Sequence, residues 1–255
     1  MSVSVRHVLS VWHRNASMYR RTWKLNLLPN FFEPVFYLTA IGIGVGAYIS
    51  EIGGLSYVAF LAPGLVCVAA MNGASFEVTY NVYIRLAYEK TYSAVITTPV
   101  TPEDILFGEV LWAVTRATIY GGGFFIVASL FGLVPNMMAV LAIFVIPLTG
   151  LLFASIGITF SLHMPTIEFF SFYFTLFLTP LFLFSDVFFP ISERLTGFWL
   201  NAAEVFPLLH PVRIVRSIFN GDWGLHLLWD LGYIVVVSAI LLFWAQRTIK
   251  KRLSN

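Results

Sequence analysis

The sequence is poor in charged residues. Asp, Glu, Lys and Arg make up 11% of its 255 residues, whereas soluble domains carry about 25%. So few charges cannot cover a water-facing surface of this size, which excludes an ordinary soluble enzyme and a disordered chain. A net charge of +2 also excludes a nucleic-acid binder. Because 58% of the residues are hydrophobic, the chain must be solvated largely by lipid.

Three further absences limit the chemistry. The lone cysteine, Cys67, lies in an apolar run, so an intrachain disulfide is impossible and we expect a packing role. The chain has no Gly-x-x-x-x-Gly-Lys sequence, so ATP chemistry is not expected on it. His7 and His13 have no carboxylate or cysteine placed to complete a site. We therefore expect both histidines to be solvated, and no metal.

Long apolar stretches predict the fold class, an all-α membrane protein formed as a single domain over 1–255. A helix needs about 20 residues to cross the hydrocarbon core of a bilayer. Six stretches have about that length or more, and they are 31–50, 57–83, 105–131, 137–162, 167–188 and 229–247. Within the third, Gly121, Gly122 and Gly123 allow either close helix packing or a hinge.

The positions of Lys and Arg predict the orientation. Eleven of the fifteen lie in the first 28 residues, in the loop over 84–104 or in the C-terminal tail. Six spans place these three segments on one side of the membrane. Cytoplasmic loops carry an excess of Lys and Arg. We therefore expect both termini in the cytoplasm and the protein in the inner membrane of the cell.

Residues 1–28 predict a basic helix at the membrane surface. A helix over 5–23 has an apolar and a basic side, which is typical of a helix lying in the headgroup region. The apolar side consists of Val5, Val8, Leu9, Trp12, Ala16, Tyr19 and Trp23, and the other side of Arg6, His13, Arg14, Arg20, Arg21 and Lys24. Such a helix is either a membrane anchor alone or an anchor that also contacts a cytoplasmic partner.

The loop after the second span predicts a short amphipathic helix. Residues 86–96 can form about three helical turns, and Pro99 and Pro102 end the helix. Its apolar and aromatic face consists of Leu86, Tyr88, Tyr92, Val95 and Ile96. A helix of this kind below a membrane bundle suits the docking of another protein, and a solvated loop is the alternative.

Charged residues inside the spans are costly and are therefore functional hypotheses. Spans two and three are antiparallel neighbours, so we predict that Glu77 and Arg116 form a structural clamp near the inner gate. The alternatives are that these side chains contact a substrate headgroup, or that they extend (snorkel) to the membrane interface. Glu33, followed by Pro34, is expected to begin the first span.

Residues 189–224 contain several prolines and scattered charges, so we do not expect them to form a full span. Two short helices, over 193–204 and 208–219, are expected at the outer leaflet as an exit lid. Asp186 precedes them and is interpreted as a helix-end or turn residue, or as a contact for an exported headgroup. The candidate outer gate consists of Asp186, Pro190, Trp199, Pro207 and Arg216.

The order of these features resembles that of a known family. In membrane subunits of type-2 ABC exporters, the ABC-2 permease superfamily, the loop after the second span has a typical pattern. It contains an acid, a basic residue and a Thr in a row, followed later by a Thr-Pro pair. The matching residues are Glu89-Lys90-Thr91, Thr98-Pro99, Phe189-Pro190 and the stretch from Glu204 through Pro207 to Arg216. Within the superfamily the chain is similar to permeases for nodulation-type lipo-oligosaccharides, in residues 57–62, 108–113, 152–157 and 172–180.

This resemblance implies a half-transporter. Two copies would face each other, and each would bind a separate ATPase subunit that holds ATP and Mg, with no cofactor on this chain. The segment 86–98 would be the coupling helix, which enters a groove on the ATPase. Its contact residues would be Tyr88, Glu89, Lys90, Thr91, Tyr92, Val95, Ile96, Thr98 and Pro99. The cargo would be an amphiphilic or lipid-linked molecule such as a lipo-oligosaccharide, moved outward.

Two other function classes compete with export by an ABC system. A secondary carrier of a hydrophobic solute would need an inverted repeat and ion ligands at the midplane, and 31–131 shows no clear repeat in 137–247. A membrane-embedded enzyme acting on lipids would need His and acidic residues clustered at one interface. The five histidines (7, 13, 163, 210 and 226) are scattered over both sides.

Overall fold

A computed structural model describes residues 3–46, 48–49, 51–191 and 196–254. Its helices are α1 (Val5–Arg21), α2 (Trp23–Gly44), α3 (Tyr57–Phe76), α4 (Thr91–Val95), α5 (Pro102–Leu130), α6 (Ala142–His163), α7 (Phe169–Phe172), α8 (Thr179–Phe184), α9 (Phe198–Ala203), α10 (Leu209–Asn220) and α11 (His226–Ser254). Strands β1 (Glu51–Ile52) and β2 (Leu55–Ser56) form a small antiparallel hairpin. Its turn is Gly53-Gly54, and both glycines have positive φ, which a residue without a Cβ adopts most easily.

Short helical turns of other types lengthen several helices. The π-helical turns Glu77–Asn81 and Ile84–Tyr88 continue α3, so that one apolar helix runs over Tyr57–Tyr88. Another π-helical turn, Tyr173–Leu178, joins α7 to α8. A 3₁₀ turn, Met137–Leu141, leads into α6.

The predicted all-α membrane fold is confirmed. Five helices of the described residues are long and apolar enough to cross a membrane, over Trp23–Gly44, Tyr57–Tyr88, Pro102–Leu130, Met137–His163 and His226–Leu253. Within the stretch expected as a span over 167–188, the structure has a shorter apolar run, Phe169–Phe184. Sixteen helical residues reach about 24 Å, less than the roughly 30 Å hydrocarbon core. The run ends because Ser185 leaves the helical conformation and Asp186 has positive φ.

The core lies where α3, α5 and α6 pack together. The hydroxyl of Thr101 accepts a hydrogen bond from the Asp104 backbone nitrogen, while Asp104 accepts one from the Thr101 nitrogen. This capping box fixes the start of α5. By contrast, α2 and α11 lie at the edge of the bundle and are mostly exposed.

The first span begins earlier than expected. Helix α2 starts at Trp23 and not at residue 31, because its first turn is held by Asn26, whose Nδ2 donates to the Thr22 carbonyl at 3.0 Å. Glu33 and Pro34 therefore lie well inside the helix and do not start it. Glu33 is exposed.

The two ends of the bundle are different. One end, the terminal face, holds α1, the segment 89–101 and the end of α11, where Lys250 forms an ion pair with Glu103. The other end, the distal face, holds the β hairpin, α9 and α10. Of the two short helices expected there, the second corresponds to α10. The start of the first falls on residues 192–195, outside the described residues, and its later part is α9.

Candidate functional site

Arg85 is the centre of a buried charge cluster at the terminal face. Its Nη2 donates to Glu77 Oε1 at 2.9 Å, and its Nη1 donates to Glu109 Oε2 at 2.7 Å. Both carboxylates are 1% exposed, so each depends on these bonds for compensation of its charge. The cluster joins the end of the second span to α5.

Helix α1 adds a second cation to this cluster. Arg14 Nη2 donates to Glu109 Oε1 at 2.7 Å, and Asn15 Nδ2 donates to Glu109 Oε2 at 2.8 Å. Glu109 therefore accepts three hydrogen bonds, from two different segments. The result is a physical link between the surface helix and two spans.

The predicted pair of Glu77 and Arg116 is close but is not the main contact. Arg116 Nε lies 3.9 Å from Glu77 Oε2, which is too long for a hydrogen bond. Arg116 instead donates to the Tyr120 hydroxyl at 2.8 Å and stacks over Tyr19 at 4.7 Å from the ring centroid. Arg85 is the nearer partner of Glu77.

The segment expected as one coupling helix over 86–98 is interrupted. The second span continues through Tyr88, and Lys90 then takes a left-handed conformation with φ of 52°. Helix α4 follows for only five residues. Within this segment Tyr88 is 62% exposed, Glu89, Lys90, Thr98 and Pro99 are also exposed, and Thr91 is half-buried.

The apolar side of this segment faces the bundle, not solvent. Tyr92 is fully buried, and the Arg14 guanidinium lies 5.9 Å from its ring centroid. Burial raises the pKa of Tyr92 well above its usual value. Val95 and Ile96 are half-buried against the same core. These three residues therefore anchor the segment, and its exposed side consists of other residues.

Helix α1 is held along α5 by polar contacts. The Ser4 backbone nitrogen donates to Asp104 at 2.8 Å, and His7 Nδ1 lies 3.1 Å from the same carboxylate. Further along, Trp12 Nε1 donates to Thr115 at 3.0 Å. The expectation that His7 is solvated was wrong, because the carboxylate of Asp104 lies directly opposite it.

A groove of about 430 Å³ lies between α2, α3, α5 and the run Phe169–Phe184. Its walls are mainly apolar and aromatic, with a few polar groups among them. The polar lining residues are Glu33, Asn72, Tyr120, Thr175 and Thr179. Such a lining suits a molecule with a long apolar part and a small number of polar groups.

The distal face brings together two of the five residues expected at the outer gate. Arg216 donates to the Asp186 carbonyl, its Nε lies 3.4 Å from Asp186 Oδ2, and its guanidinium covers the Phe60 ring at 3.7 Å. Asp186 Oδ1 also accepts from the Ile191 nitrogen at 2.7 Å. Asp186 is therefore a turn residue here. Elsewhere, Pro190 is half-buried, Pro207 is buried and Trp199 is exposed.

Four further residues form a second charge cluster at the distal face. Arg213 Nη1 and Nη2 donate to the two carboxylate oxygens of Glu204, each at 2.7 Å. The same guanidinium donates to Asp230 from Nε at 2.9 Å and from Nη2 at 2.6 Å. His210 Nδ1 lies 2.7 Å from Asp230 Oδ1. We call Glu204, His210, Arg213 and Asp230 the distal cluster.

Sequence reasoning missed both clusters in part. Arg85 was assigned to a loop because the span was expected to end at residue 83, although Glu77 and Arg85 are about two helical turns apart and so share a face. Asp230 lies inside the predicted last span, and an acidic residue there is a signal in itself. Because the histidines are scattered along the sequence, His210 did not stand out as a site residue. Its partner, Asp230, is twenty residues away.

These features define the class of protein. The chain has several membrane-crossing helices, a basic surface helix fastened to the bundle and buried charge clusters at both ends, and it is a multi-pass membrane protein. It belongs to the ABC-2 type transporter family, whose sequence model matches residues 6–220. The resemblance predicted from the loop and the distal segment is confirmed.

Individual relatives extend the match over nearly the whole chain. Nodulation protein J of Rhizobium meliloti (strain 1021) is 32% identical, over 96% of this chain and 93% of its own length. Nodulation protein J of Rhizobium leguminosarum bv. trifolii is 34% identical over the same shares. The inner membrane transport permease YadH of Escherichia coli (strain K12) is 25% identical over 92% of each chain.

Proposed function

We propose that this chain is the permease subunit of an ATP-driven exporter, which moves an amphiphilic or lipid-linked molecule outward through the inner membrane. Membership of the ABC-2 family and the near full-length match to Nodulation protein J support this proposal. A separate ATPase subunit would hold ATP and Mg, and a second copy of the chain would complete the pathway. A lipo-oligosaccharide or another glycolipid is the cargo class that fits the family resemblance.

The terminal face would be the cytoplasmic one. It collects the basic surface helix α1, the loop with Arg85 and Lys90, and the basic end of α11, in keeping with the excess of Lys and Arg in cytoplasmic loops. The ATPase would bind at this face.

The observation that best supports a coupling role is that the segment 89–101 has one buried and one exposed side. The exposed residues Glu89, Lys90, Thr98 and Pro99 of this segment would contact the ATPase, together with Tyr88 at the end of the second span. The buried Tyr92 lies against the charge cluster that joins α1, the second span and α5. A movement of the ATPase against the exposed side would therefore be transmitted to the spans through Tyr92 and Arg85, because packed elements move as units.

The groove would receive the cargo. Its apolar and aromatic walls suit acyl chains, while Glu33 and Asn72 offer hydrogen-bonding groups for the polar part. The groove opens on the exposed side of α2, the side at which a second copy would complete the pathway.

The test is co-purification with the ATPase. The tagged chain is expressed together with its ATPase subunit and extracted in mild detergent, and ATP hydrolysis is measured in the eluate. We expect hydrolysis with the unchanged chain and its loss with the double variant Tyr88→Asp, Lys90→Glu, at unchanged yield of permease. These two side chains are exposed, so their replacement removes contacts with a partner and leaves the core intact.

A matched control uses the other face of the molecule. Trp199 is 67% exposed at the distal face, and Trp199→Asp should leave the co-purified hydrolysis unchanged. An eluate without ATPase from the unchanged chain, or full hydrolysis with the double variant, would contradict the proposal.

A further inference from the structure

His210 of the distal cluster has an unusual set of hydrogen-bonding partners. Its ring is fully buried, its Nδ1 lies 2.7 Å from Asp230 Oδ1, and its Nε2 lies 3.0 Å from the backbone carbonyl of Glu204. A carbonyl oxygen only accepts hydrogen bonds, and so does an ionised carboxylate. A neutral imidazole has only one N–H, so it would leave a nitrogen lone pair facing an oxygen.

The carboxylate of Asp230 is itself ionised. Both of its oxygens accept hydrogen bonds from the Arg213 guanidinium, and donation from a cation to both oxygens stabilises the ionised form. With Asp230 ionised, His210 faces an acceptor at each nitrogen, and only the imidazolium form can donate to both. The Tyr233 ring stacks on the imidazole at 3.7 Å between centroids, and an aromatic face favours a cation over a neutral ring.

The charges of the cluster balance only with this proton in place. Two carboxylates, one guanidinium and one imidazolium sum to zero, whereas a neutral His210 leaves one net negative charge. Such an uncompensated charge is costly at a buried position. The Arg213 guanidinium holds the pKa of Glu204 below its usual value, so that carboxylate stays ionised in mild acid.

The helices packed around α10 add no charge that could take over this role. Helices α3 and α6 contact α10 and contain no Asp, Glu, Lys or Arg over Tyr57–Phe76 and Ala142–His163. Their titratable residues are Tyr57, Cys67 and His163. On α10 itself, Arg216 is paired with Asp186. The groups facing His210 in the described residues are therefore those of the distal cluster and Tyr233.

The cluster joins separate elements at the distal face. Glu204 follows α9, His210 and Arg213 lie on α10, and Asp230 and Tyr233 lie on α11. The Tyr233 hydroxyl also donates to the Val205 carbonyl at 3.0 Å. Together these contacts hold the α9–α10 hairpin against the last span.

We propose that protonated His210 latches the α9–α10 hairpin onto α11, and that loss of this proton releases the hairpin. With the orientation proposed above, the latch senses the pH outside the inner membrane. Mild acid keeps the distal end closed, and mild alkali opens it. The latch is a property of the chain alone, so it can be tested without the ATPase or a cargo.

The test measures the hairpin position directly. Spin labels are placed at Asn201→Cys on α9 and Leu228→Cys on α11, in a Cys67→Ala background, with the full chain in lipid nanodiscs. Both label sites are exposed. Pulsed electron resonance then gives the distance distribution at about pH 5.5 and about pH 8.5.

We expect one narrow distance at the acidic pH and at least a tenfold rise of a longer distance at the alkaline pH, reversed on return to acid. His210→Gln, which can donate at one end only, should show the longer distance at both pH values. His226→Gln is the matched control, because Nε2 of His226 faces the Ser217 hydroxyl at 3.2 Å, a partner that can donate or accept. It should behave like the parent chain.

Two results would overturn the latch. The first is an identical distance distribution of the parent chain at both pH values. The second is a pH response that persists in His210→Gln. Should His210→Gln fail to fold, the titration of the parent chain decides alone.

Discussion

At the scale of single residues, Arg85 joins two buried carboxylates on different helices. It is the shared donor of Glu77 and Glu109, so Arg85→Gln leaves Glu77 without its hydrogen-bonded cation and leaves Glu109 with Arg14 alone. We expect a loss of about 3–5 kcal/mol in stability, as for other broken buried pairs. The measurement is the thermal unfolding midpoint of the purified permease in detergent.

Two variants sharpen this prediction. Arg85→Lys keeps the charge but loses the planar fork that reaches both carboxylates, so its loss should be intermediate. Arg6→Gln removes an exposed arginine of α1 and should change the stability by less than about 0.5 kcal/mol. An Arg85→Gln protein as stable as Arg6→Gln would show that the cluster does not hold the spans together.

The same residue shows what single-sequence reasoning can find. Glu77 and Arg116 were recognised as charges inside spans because a charge in an apolar run is visible in the sequence. Arg14 and Arg85 were not recognised as members of the charge cluster, because they lie in basic segments that the sequence presents as solvated. Only the packing of α1 on α5 brings Arg14 to Glu109, 95 positions away.

At the scale of elements, the spans were predictable and the interruptions were not. Hydropathy alone locates the five long helices, since lipid leaves the backbone few alternatives. The break at Lys90 and the π-helical turns depend on tertiary contacts. For α1, the apolar pattern indicated Val5 and Leu9 for the side that lies in the headgroup region, and both are exposed, whereas Val11 and Asn15 are the residues buried against the bundle. Hydrogen bonds from α1 to the carboxylates of Asp104 and Glu109 on α5 determine which side of α1 faces the bundle.

The three adjacent glycines of α5 give an element-scale prediction. A Cβ on Gly121 would lie 2.7 Å from Ile146 of α6 and 3.1 Å from Ala70 of α3, whereas a Cβ on Gly122 would meet nothing within 4 Å. Gly121 thus serves packing at the junction of three helices. Gly121→Ala should cost about 1–3 kcal/mol through overpacking.

Gly122→Ala is the matched control for this prediction. It should be neutral or slightly stabilising, because alanine favours the helix over glycine by about 1 kcal/mol. The readout is again the unfolding midpoint in detergent. Equal effects of the two substitutions would contradict the packing role and favour a hinge.

At the scale of the whole molecule, the two peripheral spans differ in what they expose. Helix α11 presents Val236, Ile240 and Phe243, which lipid tails solvate well. Helix α2 also exposes apolar side chains, but among them stands the carboxylate of Glu33 at the mouth of the groove. A carboxylate facing hydrocarbon is costly, and in the proposed homodimer the second copy would cover it better than lipid would.

This difference predicts which face pairs in the proposed homodimer. In a Cys67→Ala background, Phe36→Cys on α2 and Ile240→Cys on α11 introduce thiols at sites that are 68% and 60% exposed. We expect oxidation in native membranes to yield disulfide-linked dimers with Phe36→Cys and none with Ile240→Cys, because only the α2 faces meet at the two-fold axis. The two positions are similarly exposed and apolar, so accessibility to the oxidant cannot account for such a result. Dimers formed through Ile240→Cys alone would place α11 at the axis and leave Glu33 and the groove facing lipid.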